Sequence, residues 1–306
     1  MGPNIIIAGA PKCGSTSLYH LLSQHPDIYF PVCKEPGYFI AEYFQSISTQ
    51  SPNYSRFRSN LILDKVEYYR QYSAAHQHFR GDASITYLFK PRMAADKILR
   101  ELGRDVHIIF ILRNPLRRLV SQYQYCVELG FETEGLAQAL KLESERMNSN
   151  WSSIFAYVGH GLYAEGVTVF RQTFPNVTVV FSENLLANTQ DTLRYISHQI
   201  GLREFAFRIN NNIYNKSGKP RIRLLHRLLM NKSTLRSAIY RCMKPWISRE
   251  KAIQLLNRLR QMNQIRFNSQ SQYEIAREWA LDIYKDDLNL LASCIDVDIP
   301  WSEGRL

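Results

Sequence analysis

Cysteine is scarce: five residues among 306, at positions 13, 33, 126, 242 and 294, with no C-x-x-C pair. Thiols so few, scattered and odd in number support neither a disulfide framework nor a zinc site, and they fit a reducing compartment. No apolar run reaches the length of a bilayer span, and the first apolar stretch begins at residue 4, which leaves no room for a signal peptide. A cytoplasmic location without a transmembrane segment is expected. Internal repeats and low-complexity tracts are absent as well. The eight histidines show no metal-ligand spacing beyond His76-x-His78, so no metal is expected. Acidic residues are nearly missing from one region: residues 216–266 hold 14 Lys and Arg against a single acid, Glu250, in a chain of net charge +11. Such a patch suits a polyanionic cofactor, an acidic acceptor, nucleic acid or a membrane surface, or it is a solvated helical face.

What the chain does contain is ample core material. Apolar residues make up 45% of it, with 18 Tyr and 15 Phe, which excludes a disordered protein. Strand candidates at Asn4–Ala8, Ile28–Phe30, Val106–Leu112 and Val177–Phe181, with a weaker one at Phe79–Ala83, alternate with helical periodicity, notably over 161–173 and 189–201. The Val106–Leu112 run is continuously apolar apart from His107, as expected of a central parallel strand buried on both faces. Strands alternating with helices predict an α/β fold, a doubly wound parallel sheet flanked by helices, in a single domain covering 1–306. Its α/β core is expected over about 1–202, and a basic loop and a helical C-terminal part over about 210–306. No strand is expected beyond 221. The exposed loops are placed at 46–59 and 210–220, both rich in Asn, Ser, Gly or Pro.

The first apolar run feeds Gly9-Ala10-Pro11-Lys12-Cys13-Gly14-Ser15-Thr16-Ser17 and then an amphipathic stretch. This is a strand, a phosphate-cradling turn and a helix whose opening N–H groups face an anion. The segment departs from the nucleoside-triphosphate loop G-x-x-x-x-G-K-[ST] by placing Ser15 where the lysine belongs and Lys12 three residues earlier. A lysine on the turn reaches the bridging oxygen of an anhydride, where charge builds as a leaving group departs. A second anchor follows the Val106–Leu112 run. Asn114 and Pro115 open a helix on which Arg113, Arg117 and Ser121 lie four apart, away from the apolar stripe. The strand ends in Arg113, where a hydrolytic P-loop enzyme needs an acid for magnesium.

With both anchors in order, the chain resembles the sulfotransferases that use 3′-phosphoadenosine 5′-phosphosulfate (PAPS). The resemblance rests on residues 9–17, on Leu112-Arg113-Asn114-Pro115 through Ser121-Gln122-Tyr123, and on Lys34-Glu35-Pro36-Gly37-Tyr38-Phe39, Gly81-Asp82-Ala83-Ser84 with Tyr87, and Gly161-Leu162-Tyr163. The last three segments are closest to the bacterial and heparan-sulfate-modifying branch. The resemblance implies PAPS as donor, a small-molecule or carbohydrate acceptor and no metal. It implies that Lys12 steadies the leaving oxygen, that Pro11, Cys13, Gly14, Ser15, Thr16 and Ser17 join it around the 5′-phosphate, and that Arg113 and Ser121 hold the 3′-phosphate. It makes Glu35 the base for the acceptor hydroxyl, with Asp82 and His78 as alternatives. Lys219 or Arg221 would touch the cofactor from a late basic loop. Two positions depart from the glycan enzymes' pattern: Gly37 replaces a histidine and Ala83 a lysine. The competing readings are a P-loop phosphotransferase and a basic protein binding nucleic acid or another anion through residues 216–266. No motif for specific nucleic-acid binding accompanies that segment.

Overall fold

The computed structural model describes residues 1–209, 219–220, 264–265 and 267–301; of the two short pairs only the backbone is described. Five parallel strands form the main sheet: β1 (Ile5–Gly9), β2 (Ile28–Tyr29), β3 (Phe79–Ala83), β4 (His107–Leu112) and β5 (Val177–Phe181). Their order is β2-β3-β1-β4-β5. β4 is therefore interior, but the central strand is β1, every residue of which is buried. Successive side chains of a strand face opposite ways, so burial along its whole length means that both faces of the sheet are covered. The chain builds β2 and β3 on one side of β1 and then crosses to build β4 and β5 on the other. The carboxyl ends of β1 and β4 thus border the switch-point crevice, where ligands of open α/β sheets bind.

Six helices of eight residues or more are described: α1 (Ser15–Leu22), α2 (Pro91–Leu102), α3 (Pro115–Glu128), α4 (Ala164–Thr173), α5 (Thr189–Ile200) and α6 (Ser269–Cys294). The predicted helices over 161–173 and 189–201 are α4 and α5. The expected cap of α3 is present, with the Asn114 side chain accepting from the Arg117 N–H and Pro115 in the first turn. Leu116, Leu119, Val120 and Tyr123 on its apolar stripe are buried, and Ala276, Ala280 and Tyr284 of α6 join the same cluster. Further along α6, Leu288 and Leu291 join the cluster that contains β1 and β4.

Two expectations on connecting segments change. The 46–59 segment is not wholly loop, since Tyr54–Phe57 forms a helical turn. Beyond 221 the chain contains a strand: Gln264–Ile265 (β7) pairs antiparallel with Lys219–Pro220 (β6). A two-residue strand offers too short a pattern to separate it from its flanks. The helices expected near 224–229 and 253–259, the basic side chains of that region and Cys242 lie outside the described residues.

Gly81 in β3 is required by space, because a Cβ there would lie 2.1 Å from the Phe30 ring. Gly81→Ala is expected to cost about 1–3 kcal/mol through overpacking, read as a lower denaturation midpoint.

Candidate active site

The turn after β1 is shaped for an anion. Gly14 caps α1 in the left-handed region with φ 97°, and no side chain caps the helix. The opening amides of α1 therefore remain available to a ligand, with the helix dipole behind them. Ala10 N–H donates to the Ile111 carbonyl at 2.8 Å, which ties the turn to β4.

The two anchors predicted from sequence meet physically. A terminal N–H of Arg113 donates to the Lys12 carbonyl at 3.2 Å. Beneath them, the Tyr163 hydroxyl donates to the Arg113 carbonyl at 2.8 Å and lies 3.9 Å from Cys13 Sγ. One tyrosine from the 161–163 segment thus supports both turns, a physical reason for that segment to accompany the two motifs.

The cavity at this crevice has a volume of about 880 Å³. Pro11, Lys12, Gly14, Ser15, Thr16 and Ser17 line it from the first turn, Arg113 and Ser121 from the second, and Glu35 from the loop after β2. Its cationic side chains are Lys12, Arg56, Arg113 and Arg208, and its single acid among the described residues is Glu35. A ligand with several negative charges fits that balance. Three non-glycine residues among those described have positive φ: Lys12 (66°), Glu35 (63°) and Asn150 (54°). Asparagine tolerates this region, but lysine and glutamate are held there at a cost of about 1–2 kcal/mol each. The two strained residues both face the cavity, where such strain is commonly functional.

Lys12 Nζ lies 4.2 Å over the centre of the Tyr125 ring, a cation–π contact. Burial lowers the Lys12 pKa from the ordinary lysine value, and the Glu128 carboxylate partly offsets the shift. Glu35 pairs with its neighbour Lys34, and its side chain is 45% exposed to the cavity mouth. A pair this exposed is weak and leaves the carboxylate free to take another partner.

Several expected residues are placed elsewhere. The Cys13 side chain turns into the core, fully buried, and burial pushes its thiol up to about 12, so only its backbone can serve the anion. Asp82 is buried behind the cavity wall and saturated by the hydroxyls of Tyr68, Tyr87 and Ser84, which removes it as the base. His78 is exposed at the amino end of β3, opposite the crevice, and is removed likewise. Arg117 leaves the Arg113–Ser121 group, its guanidinium lying over Tyr273. The Lys219 side chain is not described and Arg221 lies outside the described residues. Sequence reasoning missed Tyr125, Arg56, His160 and Ser182, all of which line the cavity. Tyr125 was detectable as the next helical turn after Ser121; the other three come from segments that tertiary packing alone brings to the site. Burial and the nearby Arg118 charge hold His160 well below the ordinary histidine range, so it is neutral. Among the described residues no group of three His, Cys, Asp or Glu is arranged to hold a metal ion. No helix among them is long and apolar enough to cross a membrane.

A parallel α/β sheet with an anion-binding turn at its switch point and a second cationic anchor beside it defines a P-loop-like α/β fold. The sulfotransferase domain family matches residues 2–217, and the chain belongs to that family. It is similar to a crystal structure of a sulfotransferase from Alicyclobacillus acidocaldarius, with 26% identity, a TM-score of 0.62, and coverage of 80% of this chain and 92% of that one. Heparan sulfate glucosamine 3-O-sulfotransferase 3B1 of Mus musculus is 23% identical over 207 residues, 66% of this chain and 46% of that protein. Membrane-associated sulfotransferase kil1 of Dictyostelium discoideum is 27% identical over 126 residues, 41% of this chain and 23% of that protein. The chain thus spans less than half the length of these two curated relatives.

Proposed function

We propose that the protein moves a sulfonate group from PAPS to a hydroxyl of a small-molecule or carbohydrate acceptor, or to an amine or carbamoyl nitrogen, leaving 3′-phosphoadenosine 5′-phosphate (PAP). The observation that carries this reading is the convergence of both anion anchors and Glu35 on one cavity. The acceptor oxygen attacks sulfur as the bond from sulfur to the bridging phosphate oxygen breaks, and that oxygen departs with the electron pair. Lys12 neutralises the charge growing on it, while Glu35 takes the acceptor proton. Ser15, Thr16, Ser17 and the loop amides hold the 5′-phosphate, with Pro11 shaping the turn; Arg113 and Ser121 hold the 3′-phosphate. Lys219 and Arg221 remain proposed cofactor contacts. The sulfonate carries one negative charge, so lysine and amides suffice without a metal ion. The reading also keeps a single domain and a cytoplasmic location.

The test is incubation with sulfur-labelled PAPS and a panel of sugars and phenols. Labelled product and stoichiometric PAP are expected. Phosphate transfer from ATP and magnesium, with none from PAPS, would instead establish the phosphotransferase reading.

The acceptor half of the cavity, between Glu35 and Asn53, Phe57 and Ser152, contains Arg56, whose guanidinium has no hydrogen-bond or ion-pair partner among the described residues. Acceptors with an acidic group are therefore favoured. Arg56→Gln is expected to lower kcat/KM about 10-fold for a glucuronide but not for the matching glucoside, since a charge-assisted hydrogen bond is lost only with the former.

A further inference from the structure

Asp82 remains unexplained by the reaction as written, yet it is 2% exposed and holds three hydroxyl donors. Its Oδ1 accepts from Ser84 at 2.7 Å, and its Oδ2 from Tyr68 at 2.7 Å and Tyr87 at 3.0 Å. Two of these hydroxyls are themselves acceptors from one short segment. Gly37 N–H donates to Ser84 Oγ at 3.2 Å, and Phe39 N–H to the Tyr87 hydroxyl at 3.4 Å. The Glu35 N–H, at the start of the same segment, donates to the carbonyl of Ala83, the residue next to Asp82. Three alternate amides of residues 35–39 are thus pinned to the end of β3, two of them through a hydroxyl that ends on Asp82.

We propose that Asp82 is a positioning residue for sulfonate transfer: through Ser84 and Tyr87 its carboxylate fixes the 35–39 turn and so aims Glu35 into the cavity. The direction of both chains requires it. A hydroxyl that accepts from an amide can send its own proton onward only to an acceptor, and the Asp82 carboxylate supplies acceptor sites on both oxygens. The turn needs such pinning because Glu35 sits at φ 63°, a conformation an unrestrained glutamate leaves. Tyr68 donates to Asp82 and meets the turn only through its ring, against Tyr38 and Phe39, a contact that Tyr68→Phe retains, so its hydroxyl serves as the internal control.

The inference rests on Glu35 being the base, and the test separates the two. Asp82→Asn can accept on one oxygen only, and Ser84→Ala cuts a single link. In full-length protein with PAP added, both variants are expected to speed amide exchange at residues 35–39 by about 10-fold or more, with residues 9–17 unchanged. Tyr68→Phe is expected to leave both segments unchanged. With PAPS and an acceptor, Asp82→Asn is expected to lower kcat about 10-fold without changing the donor KM, and to lower it no further in the Glu35→Gln background. Unchanged exchange at 35–39, equal acceleration in Tyr68→Phe, or losses that multiply with Glu35→Gln would each overturn the proposal. Full turnover by Glu35→Gln alone would remove the base assignment, while the exchange result still decides whether Asp82 fixes the turn.

Discussion

Replacing Lys12 by methionine is expected to lower turnover about 10²–10³-fold while leaving PAP affinity within a few-fold of the parent. Methionine keeps the unbranched stem and removes the ammonium that lies over the Tyr125 ring. In the proposed mechanism the loss falls on kcat, because the charge assigned to Lys12 develops only as the bridging oxygen departs, whereas the phosphates of PAP are assigned to the turn amides and Arg113. Single-turnover release of PAP, beside calorimetric titration of PAP, separates the two effects. A pH signature accompanies it. Burial draws the Lys12 pKa below the usual lysine value, so the ammonium is lost earlier on raising the pH than an exposed lysine would lose it. The profile of kcat/KM for the donor should therefore fall on its alkaline side as pH approaches the lysine range from below, and Lys12→Arg should abolish that limb even though it is slower.

Glu35→Gln is expected to lower turnover about 10²–10⁴-fold with no change in PAP affinity. Glutamine preserves the size of the side chain and can still lie beside Lys34, but it cannot take a proton. The effect should grow as the acceptor hydroxyl becomes less acidic, because a weak oxygen nucleophile gains most from losing its proton during attack. A panel of phenols of graded acidity measures this: the parent-to-variant ratio is expected to shrink for the most acidic phenols. A ratio independent of acidity would remove Glu35 from proton transfer.

Strands β1, β4 and β5 were legible as largely apolar, β-branched runs, and the helices α4 and α5 fall where helical periodicity places them; β2, two residues long, and β3, Phe79-Arg80-Gly81-Asp82-Ala83, carry weaker signals. The first anchor was legible for a similar reason, since a turn that approaches an anion needs glycines at fixed offsets and a lysine between them. The position of Asp82 was not. Sequence places it one residue beyond Gly81 at a strand end, where a carboxylate reads equally as base or as scaffold. Only the Tyr68, Tyr87 and Ser84 hydroxyls around it decide for scaffold, and Tyr68 arrives from a segment 14 residues away. Arg56 escaped for a related reason: nothing in a stretch rich in Ser and Asn says which of its side chains the fold will turn inward. Cys13 was legible only as a member of the anion-binding turn: its side chain is buried in the core, which leaves its backbone for the proposed contact.

The central claim is that the β1 turn and Arg113 with Ser121 hold opposite ends of one nucleotide. It is tested most directly by calorimetric titration of the protein with PAP and with adenosine 5′-phosphate, which lacks the 3′-phosphate, repeated for Arg113→Gln. PAP is expected to bind about 10- to 150-fold more tightly than adenosine 5′-phosphate, as a charge-assisted contact of about 1.5–3 kcal/mol implies, and Arg113→Gln is expected to erase most of that gap. Equal affinity for the two nucleotides, or no binding of PAP, would contradict it.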